Sequence, residues 1–160
     1  MTHTPAPVIL HLADADETAR LGSWFGQRLR AGDCLLLEGQ IGAGKSHLAR
    51  ALIRARLGRE EDVPSPTFTL VQTYQADVEI WHADLYRLSH PDEVLELGLE
   101  TAFDDTICLV EWPDRLGRHL PKGAIRATIS LYDEGRDVML DMGNRADLIA
   151  GLEQEFAVHA

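Results

Sequence analysis

The segment LLLEGQIGAGKSHLAR, residues 35–50, restricts the fold of this chain more than any other segment does. Its glycines, lysine and serine satisfy the pattern G-x-x-x-x-G-K-[ST] of a phosphate-binding loop: Gly39, Gly42, Gly44, Lys45 and Ser46. The apolar run before the loop predicts a buried strand, Cys34–Leu37, and apolar residues at helical spacing behind it predict a helix to about Leu57. A strand, a glycine-rich loop and a helix in this order are typical of α/β nucleotide-binding proteins.

The residue types of this loop suit the binding of a nucleoside triphosphate. Glycines allow successive backbone N–H groups to point at phosphate oxygens, and the N-terminus of the following helix adds a partial positive charge. Lys45 can reach the β- and γ-phosphates, and the hydroxyl of Ser46 can bind Mg²⁺. The alternative is a glycine-rich turn with a surface lysine, but the flanking strand and helix favour a nucleotide site.

The rest of the sequence predicts further elements of one α/β domain spanning residues 1–160. Apolar patterns predict strands at residues 8–12, after VPSP, in VEIWHA and in ICLV, and a hairpin in AIRATISLYDEGRDVMLDM with its turn at DEG. Helices are predicted for DADETARLGSWFGQRLRAG, ending at Gly32, for SHPDEVLELGL and for residues 145–156. ICLV is wholly apolar, as expected of a strand covered on both faces.

The composition is that of a globular protein. Of 160 residues, 45% are apolar and 26% are charged. No apolar run approaches the roughly 20 residues that span a bilayer, and the first residues lack the features of a signal peptide. Cys34 and Cys108 lie in apolar strands and are predicted to be buried, reduced thiols. We therefore expect a cytoplasmic protein.

The net charge of −11 is unevenly distributed along the chain. Basic residues dominate between Arg20 and Arg59, whereas Arg87 is the only arginine or lysine between Asp77 and Asp114. An acidic chain is poorly suited to direct binding of RNA or DNA, because neutralisation of phosphates supplies most non-specific affinity. The asymmetry could instead attract a protein partner, or it could reflect ordinary solvated helix faces.

Two acidic residues at strand ends are candidates for completing the site. Glu111 follows ICLV, and Asp84 ends the strand VEIWHA. Open α/β sheets bind ligands at the carboxyl ends of their strands. Nucleotide chemistry with Mg²⁺ needs an acid near Ser46 to hold the metal and a group to orient the attacking water. Either acid could also be a solvated residue at a strand end.

Three other residues near these segments were considered. Thr67, in PSPTF, lies where many phosphate-loop NTPases place a threonine that senses the γ-phosphate, although the segment equally suits a tight entry to a strand. His82 shares a strand face with Asp84 and is interpreted as making a buried contact rather than orienting water. Trp112 is interpreted as a core or rim aromatic residue.

Four segments taken together, GQIGAGKS, SPTFTLV, HADLYRL and LVEWPDR, resemble the bacterial TsaE (YjeE) ATPases. These proteins are the small ATPase component of the machinery that makes threonylcarbamoyladenosine in tRNA. The last three segments are specific to that family, and the resemblance covers about residues 21–141. It implies a mostly parallel central sheet with antiparallel strands at its edges, which agrees with the predicted hairpin.

The resemblance also implies a function and partners. Members of the family bind ATP and Mg²⁺ and hydrolyse ATP weakly alone. They act with the TsaB–TsaD complex, in which TsaD modifies adenosine 37 of ANN-decoding tRNAs. The tRNA would then be reached only through that complex, without a DNA or membrane partner.

Residue roles follow from the matched motifs. The resemblance assigns phosphate contacts to the loop and the residue after it: Gly39, Gly42, Ala43, Gly44, Lys45, Ser46 and His47. Ser46 and Glu111 would hold Mg²⁺, Asp84 would assist hydrolysis, and Thr67 would make a switch-like contact. Arg136, in EGRD, would reach the nucleotide. The family loop usually reads GDLGAGKT, so this chain keeps the hydroxyl ligand at position 46 but lacks an aspartate at position 40.

Two other enzyme classes share the loop. Small-molecule kinases need an acceptor pocket and an arginine-bearing lid, and DRLGRHLPKG could be mistaken for such a lid. However, Arg87 is the only arginine or lysine where the acceptor site would be expected. A GTPase would need N-K-x-D, whereas the only asparagine, Asn144, is followed by Arg145. A third alternative is a binding module that is controlled by its nucleotide and hydrolyses it only incidentally. This alternative differs little from the favoured interpretation.

Overall fold

The computed structural model describes residues 6–40, 42–64, 70–156 and 158–159. Eight strands within these ranges form one sheet: β1 (Val8–Leu12), β2 (Cys34–Gly39), β3 (Val71–Gln75), β4 (Glu79–Asp84), β5 (Ile107–Glu111), β6 (Ile125–Tyr132), β7 (Gly135–Asp141) and β8 (Val158–His159). The α-helices are α1 (Ala15–Arg28), α2 (Lys45–Leu57), α3 (Glu93–Leu97), α4 (Leu99–Asp105) and α5 (Ile149–Glu155). Two 3₁₀ helices span Pro113–His119 and Gly143–Leu148.

The sheet has a parallel centre and antiparallel edges. Its strand order is β3-β4-β5-β2-β6-β7-β1-β8, and β4, β5, β2 and β6 run parallel to one another. β3 pairs antiparallel at one edge, and β7, β1 and β8 continue antiparallel at the other. The predicted α/β class, with a mostly parallel centre, antiparallel edge strands and a C-terminal hairpin plus helix, is confirmed.

Strand register brings three chain segments to one edge of the sheet. β2 runs directly into the glycine-rich loop, and in the neighbouring strand Glu111 lies opposite Leu37. One strand further along, Asp84 lies opposite Glu111. Since all three strands are parallel, their carboxyl ends meet where the loop begins. The fold therefore places both predicted acids beside the predicted phosphate loop.

Helices cover the two faces of the sheet with separate apolar cores. In β2, Leu35 and Leu37 pack with α1, α2 and α5, whereas Leu36 packs with the layer that contains α3, α4 and the first 3₁₀ helix. This alternation follows from the two-residue period of a strand. Cys34 and Cys108 are buried and unpaired, as predicted. Burial raises the pKa of the Cys108 thiol to about 11 and also raises the pKa of Cys34, so both thiols stay protonated.

Some boundaries differ from the sequence-based prediction. Helix α1 ends at Arg28 rather than Gly32, because the backbone at Leu29 is already extended, with φ −68° and ψ 151°. The predicted SHPDEVLELGL helix is divided at Gly98, where φ is +81°. Strand β8 and the 3₁₀ helix Pro113–His119 were not predicted, since neither is long enough to show a clear apolar period. The last helix begins as a 3₁₀ turn at Gly143.

Helices α1 and α2 approach closely through two glycines. A Cβ atom on Gly22 would lie 2.5 Å from the carbonyl oxygen of Leu48, and one on Gly26 would lie 2.5 Å from that of Leu52. Both neighbours are backbone atoms, which cannot rotate away. This contact fixes α2, and with it the loop at its N-terminus, against the rest of the domain.

We expect Gly26→Ala to lower the free energy of unfolding by about 1–3 kcal/mol, the usual cost of overpacking a core. The overpacking cost acts against the helix propensity of alanine, which is more favourable than that of glycine by up to about 1 kcal/mol. Urea denaturation followed by circular dichroism measures the change. Gly151→Ala is the matched control, because its Cβ would meet only a Trp24 ring atom at 3.3 Å, and we expect a change below about 1 kcal/mol. Equal effects of the two substitutions would contradict the close helix contact.

Among the residues that the structure describes, no helix is long and apolar enough to cross a membrane.

Candidate functional site

The glycine-rich loop has a backbone conformation that depends on its glycines. Gly39, Gly42 and Gly44 have φ values of +147°, +84° and +109°, in the region that side chains disfavour. Gly39 also lacks room for a side chain, since a Cβ there would lie 2.6 Å from the carbonyl oxygen of Ile129. Gly44 caps the N-terminus of α2. The turn therefore ends at the positive end of a helix, as a phosphate-binding loop requires.

A cavity of about 420 Å³ lies against this loop. One wall consists of loop and α2 residues, including Lys45 and Ser46. The other consists of residues at or just after the ends of β4 and β5, including Asp84 and Glu111. Residues from three separate chain segments of the sequence prediction thus meet at one concave site, of the size range in which small ligands bind.

Lys45 is held inside the site by two contacts. Its side chain donates a hydrogen bond to the carbonyl oxygen of Gly39, and its ammonium nitrogen lies 3.8 Å from the centre of the Trp112 ring. Burial lowers the pKa of Lys45, while the carboxylates of Glu111 and Asp84 oppose that shift. The direct partners of the ammonium group are therefore uncharged, and negatively charged phosphate oxygens could replace them.

Glu111 is fixed by hydrogen bonds to both carboxylate oxygens. The hydroxyl of Ser46 lies 3.1 Å from Oε1, and Nε2 of His82 lies 2.7 Å from Oε2. The side chains of His82 and Glu111 are only 2% and 3% exposed. The sequence predicted a buried contact for His82. In the structure the partner in that contact is Glu111, the candidate metal-binding acid.

Asp84 stands beside Glu111 with a different environment. Its Oδ1 accepts a hydrogen bond of 3.1 Å from the backbone N–H of Tyr86. Burial raises the pKa of Asp84, and the neighbouring Glu111 charge raises it further, against the opposing effects of the Tyr86 N–H, His82 and Lys45. A carboxylate with a raised pKa is a better proton acceptor than an ordinary surface aspartate.

Aromatic residues form the outer wall of the cavity. Tyr86 and Trp112 line it, with ring centres 4.9 Å apart, and the guanidinium of Arg115 lies 6.0 Å from the Tyr86 ring. Trp112 has φ +60°, which is unusual for a residue with a side chain. The sequence predicted a core or rim position for Trp112 and not its contact with Lys45. The available signal was its position directly after Glu111.

Arg136 and His47 also lie against the loop, and His47 lines the first cavity as well. Arg136 donates hydrogen bonds to the carbonyl oxygens of Ala43, at 2.8 Å, and Gly42, at 3.4 Å. The Nε2 of His47 lies 3.0 Å from the carbonyl oxygen of Ala15, at the start of α1. Both residues border a second cavity of about 320 Å³ that shares Gly42 and Gly44 with the first. Arg136 is thus placed to stabilise the loop from behind and to face a ligand that extends beyond it.

The oxygen donors of the site suit Mg²⁺. Mg²⁺ is usually bound by one or two carboxylates together with substrate phosphates and water, so a cluster of three protein ligands is not needed. Indeed, no group of three or more histidine, cysteine or acidic side chains arranged to hold a metal occurs in the described part of the chain. The Ser46 hydroxyl and the Glu111 carboxylate, 3.1 Å apart, fit that incomplete ligand set.

The structure brings together every candidate residue of the sequence analysis that it describes. Those at the loop and strand ends line the first cavity or contact residues that do: Gly39, Gly42, Ala43, Gly44, Lys45, Ser46, His47, Asp84, Glu111 and Arg136. Thr67 lies outside the described residues. The chemical roles of all these candidate residues stay predictions.

Comparisons with known proteins agree with this geometry. The family model for "Threonylcarbamoyl adenosine biosynthesis protein TsaE" matches residues 12–138. The chain is 36% identical over 129 residues to a tRNA threonylcarbamoyladenosine biosynthesis protein TsaE of Rickettsia felis, covering 80% of this chain and 75% of that one. It is 41% identical over 106 residues to the TsaE protein of Haemophilus influenzae, covering 65% of this chain and 66% of that one.

A solved structure is also similar over nearly the whole chain. The crystal structure of Bacillus subtilis YdiB superposes with a TM-score of 0.76 at 25% sequence identity, covering 96% of this chain and 98% of that one. The similarity therefore extends beyond the phosphate loop to the complete sheet and its helices.

Proposed function

Because the chain belongs to the TsaE family of threonylcarbamoyladenosine biosynthesis proteins, we propose that it is a Mg²⁺-dependent ATPase of tRNA modification. It hydrolyses ATP weakly alone and supports the TsaB–TsaD complex as that complex modifies adenosine 37 of ANN-decoding tRNAs. The family membership carries the role in tRNA modification. The use of ATP rests on one structural observation, the convergence of Lys45, Ser46, Asp84 and Glu111 on one cavity.

Binding of the triphosphate is the first task of these residues. Backbone N–H groups of the glycine-rich loop would bind the phosphates together with the positive end of α2, which begins at Lys45. The ammonium group of Lys45 exchanges the Trp112 ring and the Gly39 carbonyl for the β- and γ-phosphate oxygens. Each of these contacts is a charge-assisted interaction, which is stronger than a neutral hydrogen bond.

Hydrolysis needs two further contributions. Ser46 and Glu111 would hold Mg²⁺, and bound Mg²⁺ neutralises the charge that develops on the transferred phosphoryl group. Asp84 lines the same cavity, where its side chain can orient a water molecule and accept its proton. The elevated pKa of Asp84 favours that transfer.

The proposal predicts slow ADP formation by the isolated protein and faster ADP formation when TsaB–TsaD and tRNA are added. A coupled steady-state assay measures both rates, with TsaB–TsaD and tRNA alone as the background control. A small-molecule kinase would behave differently. Rapid ADP formation that depends on one alcohol or nucleotide acceptor, and that ignores the partner proteins, would show that the chain is a kinase instead.

A further inference from the structure

His82 is the least accessible polar side chain of the site. It lies near the end of β4 with 1% of its surface exposed. Its Nε2 is 2.7 Å from Oε2 of Glu111, while the Ser46 hydroxyl lies 3.1 Å from the other oxygen, Oε1, and 3.4 Å from Oε2. Glu111, at the end of β5, is therefore held by one residue of strand β4 and one residue of helix α2, and only Ser46 adjoins the phosphate loop.

The chemistry of the pair sets the direction of its hydrogen bond. A carboxylate that serves as a metal ligand is ionised and can only accept hydrogen bonds. The His82 Nε2 must therefore carry the hydrogen. Nδ1 is buried and has no hydrogen-bond partner among the described residues. A hydrogen on Nδ1 would leave a buried donor unsatisfied, which is costly, so a hydrogen on Nε2, directed at Oε2, fits this geometry best.

We propose that His82 is a positioning residue for Glu111, an inference that rests on the proposed nucleotide chemistry. The Nε2–H group restrains Oε2 and so fixes the rotation of the carboxylate. Oε1 is then directed at Ser46 before any nucleotide arrives. His82 itself touches neither phosphate nor metal; it acts only through Glu111.

Loss of this restraint has a defined consequence. A carboxylate released from His82 is free to rotate away from Ser46. That rotation would separate the two proposed metal ligands and leave the phosphate loop and Lys45 as they are.

Three variants separate positioning from general damage. His82→Leu removes the donor, whereas His82→Gln keeps an N–H group near the place of Nε2. Ile80→Ala is the matched control, because Ile80 lies two residues earlier on the same strand, is 0% exposed, and does not contact Glu111 through any hydrogen bond. Calorimetric titration with ADP, with and without Mg²⁺, and a thermal melt are recorded for each protein.

We expect His82→Leu to raise the Mg²⁺ concentration needed for half-maximal ADP binding by about 10- to 100-fold, the usual effect of losing a group that orients a metal ligand. Binding of metal-free ADP should change by less than about twofold, because the phosphate loop is untouched. His82→Gln should recover most of the Mg²⁺ dependence, and Ile80→Ala should lower the melting temperature without changing that dependence. In wild-type protein, ¹⁵N chemical shifts should show His82 as the Nε2–H tautomer.

Several outcomes would overturn the proposal. An unchanged Mg²⁺ dependence in His82→Leu, an equal loss in Ile80→Ala, or a wild-type His82 protonated only on Nδ1 would each exclude positioning. If His82→Leu does not fold, the His82→Gln titration and the wild-type tautomer decide. Failure of the wild-type protein to bind ADP in a Mg²⁺-dependent way would instead refute the proposed function itself, and the positioning role with it.

Discussion

Replacing Lys45 with alanine is expected to weaken ATP binding by roughly 10- to 150-fold, equivalent to the loss of about 1.5–3 kcal/mol for hydrogen bonds to a charged group. The reason is that the loop N–H groups remain, but the one ammonium group that faces the β- and γ-phosphates is gone. Calorimetric titration with ATP in the absence of Mg²⁺ measures this change, because the metal cannot then mask the loss.

The chain provides a close control for this substitution. Its only other lysine, Lys122, borders a cavity with Asp33 and Cys34, next to the start of β2 and so at the opposite edge of the sheet from the loop. Lys122→Ala removes the same charge without touching the candidate site. We expect it to bind ATP like the wild-type protein. Equal affinity of Lys45→Ala and wild type would show that the buried ammonium group does not reach the phosphates.

Lys45→Ala should leave the fold intact. Lys45 contacts the Trp112 ring and the Gly39 carbonyl, and neither contact ties together distant parts of the core. Removing a partly dehydrated ammonium group also removes a cost, as the lowered pKa of Lys45 shows. A large drop in melting temperature would therefore point to a structural role that the geometry does not indicate.

The loop and the strand ends could be predicted from the sequence because each leaves a strong local signal. The glycines of the loop occur at fixed spacing, and Glu111 ends an unbroken apolar run. Once the strands are assigned as parallel, the meeting of Asp84 and Glu111 at one edge follows from topology alone. These parts of the site could be predicted without knowledge of side-chain contacts.

The contacts between side chains could not be predicted in the same way. The pairing of His82 with Glu111 depends on the register of β4 against β5 and on two rotamers, none of which a hydrophobic pattern specifies. The approach of Trp112 to Lys45 depends on a backbone turn with φ +60°, at a residue type that carries no such preference. The sequence therefore identified Glu111 as a candidate metal-binding acid, but it did not identify His82 as the residue that contacts it.

Element boundaries were missed for a related reason. The apolar stripe of α1 continues to Leu29, so the pattern predicted a helix that reached Gly32. In the structure Leu29 is buried although its backbone is extended. Burial alone produces the same apolar signal in a helix and in the loop that follows it, and only the backbone geometry distinguishes them.

Glu111→Gln is expected to reduce Mg²⁺-dependent ATP hydrolysis by at least about 100-fold, since losing a group that merely orients a metal ligand already costs about 10- to 100-fold. Glutamine has nearly the same shape, but it lacks the negative charge. Its amide oxygen can still accept from the His82 Nε2–H and its N–H₂ can donate to the Ser46 hydroxyl, so the hydrogen bonds survive while the metal-binding charge is lost.

Binding of metal-free ATP should survive this substitution, in contrast to Lys45→Ala. The loop is unchanged, although loss of the Glu111 charge lowers the pKa of Lys45 further, because that charge raises it in the wild-type protein. The ammonium group should therefore bind phosphate somewhat less well at high pH. Initial rates of ADP formation at saturating ATP, combined with calorimetry with and without Mg²⁺, separate hydrolysis from binding.

A neighbouring carboxylate provides the control for Glu111→Gln. Asp114 is exposed and lies three residues along the chain, within the 3₁₀ helix that follows Trp112. Asp114→Asn removes one negative charge from the same segment without contacting Ser46 or His82. If it slows hydrolysis as much as Glu111→Gln does, the effect is one of overall charge near the cavity. If only Glu111→Gln is slow and still binds ATP without metal, the buried carboxylate serves the phosphoryl chemistry and not the anchoring of the nucleotide.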